Sequence, residues 1–227
     1  VDCFSLFGDS ISSLDNLRSE AESSGHGRWL HNFHVIKMLL AYWKGCHMEA
    51  EEHFRAALAF PTAKMPQIIM IYHTFFGGLI ALHLYRQLGS NDDQRLKQGR
   101  ELMEKLEKWS QMSSAIYENK WLLLKAEYFI SIGKRGGAIT LYKDCINSAR
   151  DHGNIHEMAL AYELLGNYYC DEGDRAHSDE YFREAHTFYE QWGATAIAKK
   201  LVYKHDLIIV PGACAKLRGR KSKSLRK

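Results

Sequence analysis

The chain has 227 residues, 46% of them hydrophobic, 25% charged and 12% aromatic, with a formal net charge of +3. That length allows one ordinary domain or two small ones, and the composition excludes disordered, collagen-like and low-complexity classes. Three prolines, Pro61, Pro66 and Pro211, leave room for long uninterrupted helices and argue against a loop-rich β sandwich.

Residues 1–27 are rich in Ser, Gly and Asp and read as a short helix with a loop. Val1–Gly8 has no basic n-region of a secretory signal, and the chain does not begin with Met, so a piece of a longer polypeptide is one reading. From Arg28 to about residue 207 the pattern is helical. Gly45, Ala50, Phe54 and Ala57 mark a first unit, with small residues where paired helices approach and an aromatic filling the gap. Met65–Tyr85 then runs 21 residues without Asp, Glu, Lys or Arg, long enough for a membrane span. Gln67, His73, Thr74, His83, Pro66 and the Gly77–Gly78 pair favour a helix buried inside a soluble fold instead, with no membrane span. This helix ends at Gly89; Asn91 or Asp92 suits the cap of the next, which Leu96, Met103 and Leu106 line.

The second half repeats. Trp121–Ile132 ends at Gly133, and Gly133, Ala138, Tyr142, Cys145 and Gly153 recur as Gly173, Ser178, Phe182, Ala185 and Gly193, all at an offset of 40. Leu160, Leu164, Leu165, Tyr168 and Tyr169 recur at helical spacing before Gly173–Asp174 breaks the helix. Tyr181, Phe182, Ala185, Phe188, Tyr189 and Trp192 form the stripe of the helix after it. Thr195–His205, with Ile197, Leu201 and Val202 inward, reads as a cap on the open end. A fixed period of this size predicts an all-α domain over 28–207, a stack of about four antiparallel helix pairs.

The near-neutral charge conceals a split. Lys216, Arg218, Arg220, Lys221, Lys223, Arg226 and Lys227 fall in the last twelve residues; without them 23 basic side chains face 27 acidic ones. Residues 208–227 therefore read as a separate, disordered basic tail that could touch nucleic acid or anionic lipid, or serve as a linker. Ser222 and Ser224 within it would lower that charge if phosphorylated.

Catalytic signals are weak. Five cysteines at wide spacings, with no CxxC, indicate a reducing compartment, the cytoplasm. Cys145 replaces a small packing residue and reads as a core thiol. Gly133–Gly137 lacks the order of a phosphate-binding loop and falls at a hairpin turn. Twelve histidines raise a metal reading, and His31 and His34 could share a helix face. There is no H-E-x-x-H, and Gly153–Asn154 separates His152 from His156, so no metal or cofactor is expected.

Tyr162, Leu165, Gly166, Tyr169, Phe182 and Ala185 resemble the tetratricopeptide repeat, with departures at Ser178, where Ala is usual, and Glu190, where Pro is common. The period of 40 places it with the longer variants. Within the run from Tyr181 to Leu201, Tyr189, Trp192, Gly193, Ala194, Ala198 and Lys199 carry a narrower resemblance. It is to the end of the helical segment in large signalling proteins that join a kinase-like domain and an AAA/STAND-type ATPase to a tetratricopeptide-like region. The resemblance implies a tetratricopeptide-like solenoid making protein–protein or interdomain contacts. It carries no catalytic residue onto this chain.

In such a stack the first helix of each pair lines a groove suited to a peptide. Repeat register places Leu39, Tyr42 and Trp43, then Leu123, Glu127 and Ile130, then Glu163, Asn167 and Cys170 along it. Asn167 is suited to hydrogen-bond an extended main chain. The lysines of a carboxylate-clamp repeat are missing and Glu127 and Glu163 stand there instead, so no preference for an acidic C-terminal peptide is expected. The expected partner is a protein, a peptide or a neighbouring domain of the same polypeptide. The rival readings are a His-rich metal or enzymatic protein and a tail-borne nucleic-acid or lipid binder.

Overall fold

The computed structural model describes residues 27–60, 67–89 and 93–207. Nine helices occur among them: α1 Gly27–Lys44, α2 His47–Leu58, α3 Gln67–Leu88, α4 Asp93–Ser110, α5 Ser114–Ser131, α6 Arg135–Asp151, α7 Ile155–Asp171, α8 Arg175–Trp192 and α9 Thr195–His205. They pack as neighbouring pairs, α1 with α2, α3 with α4, α5 with α6 and α7 with α8, while α9 lies against α8. The described residues contain no strand. Residues 1–26, the Asn91 and Asp92 cap and the basic tail lie outside the described residues.

The turns inside the four pairs share one device. Gly45, Gly89, Gly133 and Gly173 all hold φ between 76° and 97°. At Gly133 the N–H bonds to the Ile130 carbonyl at 3.1 Å and the next N–H, of Lys134, to the Phe129 carbonyl at 2.8 Å. This closes the last carbonyls of α5, and only a residue free of a Cβ takes that left-handed position without strain. These glycines lie 44, 44 and 40 residues apart. The period of 40 thus describes the second half of the chain, and the first half carries about one more helical turn per pair. Part of the excess lies in α3, which has 22 residues where α7 has 17.

α3 is the hub, in contact with α1, α2, α4 and α5. Ile71, Phe75, Phe76, Leu79, Ile80, Leu82 and Leu84 are all buried on it. Among the described helices it alone is long and apolar enough to cross a membrane (mean hydropathy 1.6), and 72% of that window is buried by its neighbours. Its two adjacent glycines are packing notches. A Cβ added at Gly77 would lie 2.1 Å from Cε2 of Phe54, and one at Gly78 would lie 2.5 Å from Cδ2 of Leu124. Close-packed interiors leave no such slack.

The same logic explains Ser178, the departure from the repeat pattern. A Cβ at Gly166 would meet Cδ1 of Phe182 at 2.6 Å, so α7 and α8 approach closely there. Ser178, wholly buried, donates its hydroxyl to the Gly166 carbonyl at 3.0 Å. A buried hydroxyl that finds an acceptor is tolerated where Ala would stand. Downstream, Asp174 caps α8 by accepting the His177 N–H at 3.2 Å.

Candidate functional site

α9 brings the end of the described chain to its beginning. Lys200 Nζ donates to the Trp43 carbonyl at 2.9 Å, and Trp43 packs its ring against Tyr189 and Trp192, with centroids 5.9 and 6.0 Å away. Between these ends lies the inner face of α7. A cavity of about 400 Å³ opens there, lined by Tyr42 and Trp43 from α1, Glu163 and Asn167 from α7, and Lys200 and Lys204 from α9. His47 and His83 complete its far side. A second cavity of about 320 Å³ adjoins it, lined by Arg86, Glu127, Ile130 and Asp171. The two share His83, Gln87, Leu164, Asn167 and Lys204, and so form one continuous groove.

The groove's carboxylates are already partnered. Glu127, 3% exposed, takes Arg86 Nη2 at 2.5 Å and the Tyr142 hydroxyl. Arg86 also donates to the Glu127 carbonyl at 3.1 Å and to Ser131 Oγ at 2.9 Å. Burial works against the Arg86 charge, yet the neighbouring Glu127 outweighs it and the guanidinium pKa rises. Burial and then Glu127 push the Tyr142 phenol well above its ordinary range. Glu163 accepts the Tyr189 hydroxyl at 2.6 Å, and burial followed by Glu163 raises the Tyr189 phenol in the same way. Each carboxylate therefore meets a phenol held in its protonated, donating form.

Two imidazoles pack against each other on one wall of the wider cavity. The rings of His47 and His83 lie 3.9 Å apart, centroid to centroid, and inclined by 41°. Burial, then His83, Lys200 and Lys204, lowers His47 to about 3. Burial, then Arg86 and Lys204, lowers His83 to about 4. Both rings are neutral near pH 7.

Of the residues that repeat register assigns to the groove, Tyr42, Trp43, Glu163 and Asn167 line the wider cavity, and Glu127, Ile130 and Asn167 the narrower one. Leu123 is corrected: it is fully buried in the core and presents no surface to a ligand. Leu39 is half-buried against that core. Cys170 is an exposed free thiol outside the lining of both cavities. The tail basic residues, Lys216 to Lys227, lie outside the described residues. Sequence reasoning missed Arg86, His83, Lys200 and Lys204. The signal for the two lysines was their i,i+4 spacing on a cap helix, which puts both on one face.

His31 and His34 diverge despite their spacing. His31 meets His73 edge-on at 5.0 Å, whereas His34 Nδ1 lies 3.0 Å from His53 Nδ1. Among the described residues no three His, Cys, Asp or Glu side chains are grouped to hold a metal. Cys145 is buried, donates to the Asn119 carbonyl at 3.1 Å, and has its thiol pushed up chiefly by burial. A thiol in that setting is a poor nucleophile. No protein-family model matches the chain, and no curated protein matches it at a significant level.

Proposed function

We propose that this chain is a non-catalytic recognition module, a tetratricopeptide-like solenoid whose inner groove receives an extended segment of a protein partner or of a neighbouring domain. The observation that carries this reading is Asn167. It lines both cavities, and its side chain makes no hydrogen bond to another described residue. Its amide offers a donor and an acceptor to a passing main chain, the pairing an extended peptide needs. Ile130 and Leu164 supply apolar wall beside it. Glu127 and Glu163 are occupied by Arg86, Tyr142 and Tyr189, which suits a fixed wall better than a proton shuttle. On the narrower resemblance, the groove would serve contacts within a larger signalling ATPase or kinase.

Selection of peptides from a random display library against the intact chain tests this. Peptides so obtained should bind Asn167→Ala about fivefold to tenfold more weakly, the net worth of one or two hydrogen bonds. Its melting temperature should match that of the unsubstituted chain. Selected peptides that bind both Asn167→Ala and Ile130→Glu with undiminished affinity would overturn the reading.

A further inference from the structure

The wider cavity carries an unbalanced charge. Three lysines line it, Lys44, Lys200 and Lys204, against one carboxylate, Glu163. Glu163 is engaged by the Tyr189 hydroxyl, and Lys200 by the Trp43 carbonyl. The side chains of Lys44 and Lys204 make no hydrogen bond or ion pair to another described residue. His47 and His83, in ring contact, line the same cavity. Ammonium groups without an internal partner are charge-assisted donors for a carboxylate. Trp43, Leu160, Ile197 and Leu201 supply apolar wall beside them, and Gln87 and Asn167 add polar lining. A volume of about 400 Å³ lies within the range of small-molecule sites, which combine apolar walls with a few convergent polar groups.

We propose that this cavity binds an organic acid, its carboxylate held by Lys204 with Lys44, and its apolar body laid against Trp43, Leu160 and Ile197. The inference goes beyond the peptide groove, because it uses Lys44 and Lys204 rather than Asn167. The same chemistry is carried by a free small acid and by the C-terminal carboxylate of a peptide ending in an apolar residue.

Isothermal titration of the full chain with octanoate, 1-octanol and acetate tests the proposal. Octanoate should bind one to one, and octanol and acetate at least tenfold more weakly, since each supplies only half of the recognition. Lys204→Gln should weaken octanoate at least fivefold, with circular dichroism and melting temperature unchanged. Lys97→Gln, an exposed substitution on α4 outside the cavity, should leave the affinity as it was. A leucine-terminated peptide, as free acid and as amide, identifies the source. Competition by the acid alone assigns the cavity to peptide C-termini, and competition by neither assigns it to free acids. Absence of octanoate binding up to millimolar concentration, equal binding of octanol, or indifference to Lys204→Gln would overturn the proposal. Loss of octanoate binding with peptide binding intact removes this inference alone, and the converse removes the groove reading alone.

Discussion

Lys200 Nζ donates to the main-chain carbonyl of Trp43 at 2.9 Å, joining two residues 157 positions apart. Stacked helix pairs otherwise contact only their neighbours, so the ends of such a stack open independently of one another. Here the first pair and the last helix hold each other.

Breaking that tie should loosen both ends together. Trp43→Ala removes the ring packed on Tyr189 and Trp192, and should cost on the order of 3 kcal/mol. Lys200→Met removes one hydrogen bond and should cost about 1 kcal/mol. Native-state hydrogen exchange is the measurement. Protection should fall in α1 and in α9 in both variants, and faster exchange in α9 with α1 unchanged would show that the contact transmits nothing.

The Arg86–Glu127 pair yields a second expectation. Its side chains are 29% and 4% exposed, so Glu127 is the deeply buried member. Glu127→Ala takes the carboxylate from Arg86 Nη2 and the Tyr142 hydroxyl, while Arg86 Nη1 keeps the main-chain carbonyl of position 127 and Ser131 Oγ, and should cost about 3 kcal/mol. Replacing both partners by apolar residues of similar size, Arg86→Met with Glu127→Leu, should be less damaging than Glu127→Ala alone. Urea unfolding of the single and double variants checks this; a double variant as unstable as the sum of the two would sink it.

Acid should weaken the fold through its histidines. His47 is lowered to about 3, and His73 and His83 to about 4, in each case chiefly by burial. The unfolded chain, with ordinary imidazoles, takes up protons first as pH falls. Stability from these groups is therefore complete above about pH 6.5 and is lost progressively as pH falls, to about pH 4 for His73 and His83 and about pH 3 for His47. Urea midpoints at pH 7.5 and 5.0 should differ, with the lower value at pH 5.0. His73→Phe should flatten the slope; an equal slope in that variant would exclude His73 as a contributor.

Helix existence and turn placement were legible because they are local. A glycine at the end of an apolar stripe states its own turn, as at Gly133 and Gly173. Register along α5 and α7 was enough to group Glu127 with Ile130 and Glu163 with Asn167. It misassigned Leu123, because the groove is narrower than a helix face and the flank of α5 is already core. The meeting of Lys200 with Trp43 was not legible. It depends on the summed rotation of four helix pairs, which no local pattern encodes. The partnering of Glu127 by Arg86 was hidden likewise, since the two are 41 positions apart.

The adjacent notches of α3 have a consequence for how that helix finds its setting. A helix buried on nearly every side lacks the single apolar stripe that normally fixes its rotation about its own axis. Sliding α3 by one residue would turn it by about 100° and carry side chains into the spaces that Phe54 and Leu124 occupy. Gly77 and Gly78 thus act as a keyway, cut for a tooth from α2 and a tooth from α5. The most featureless stretch of the chain is indexed by two missing side chains.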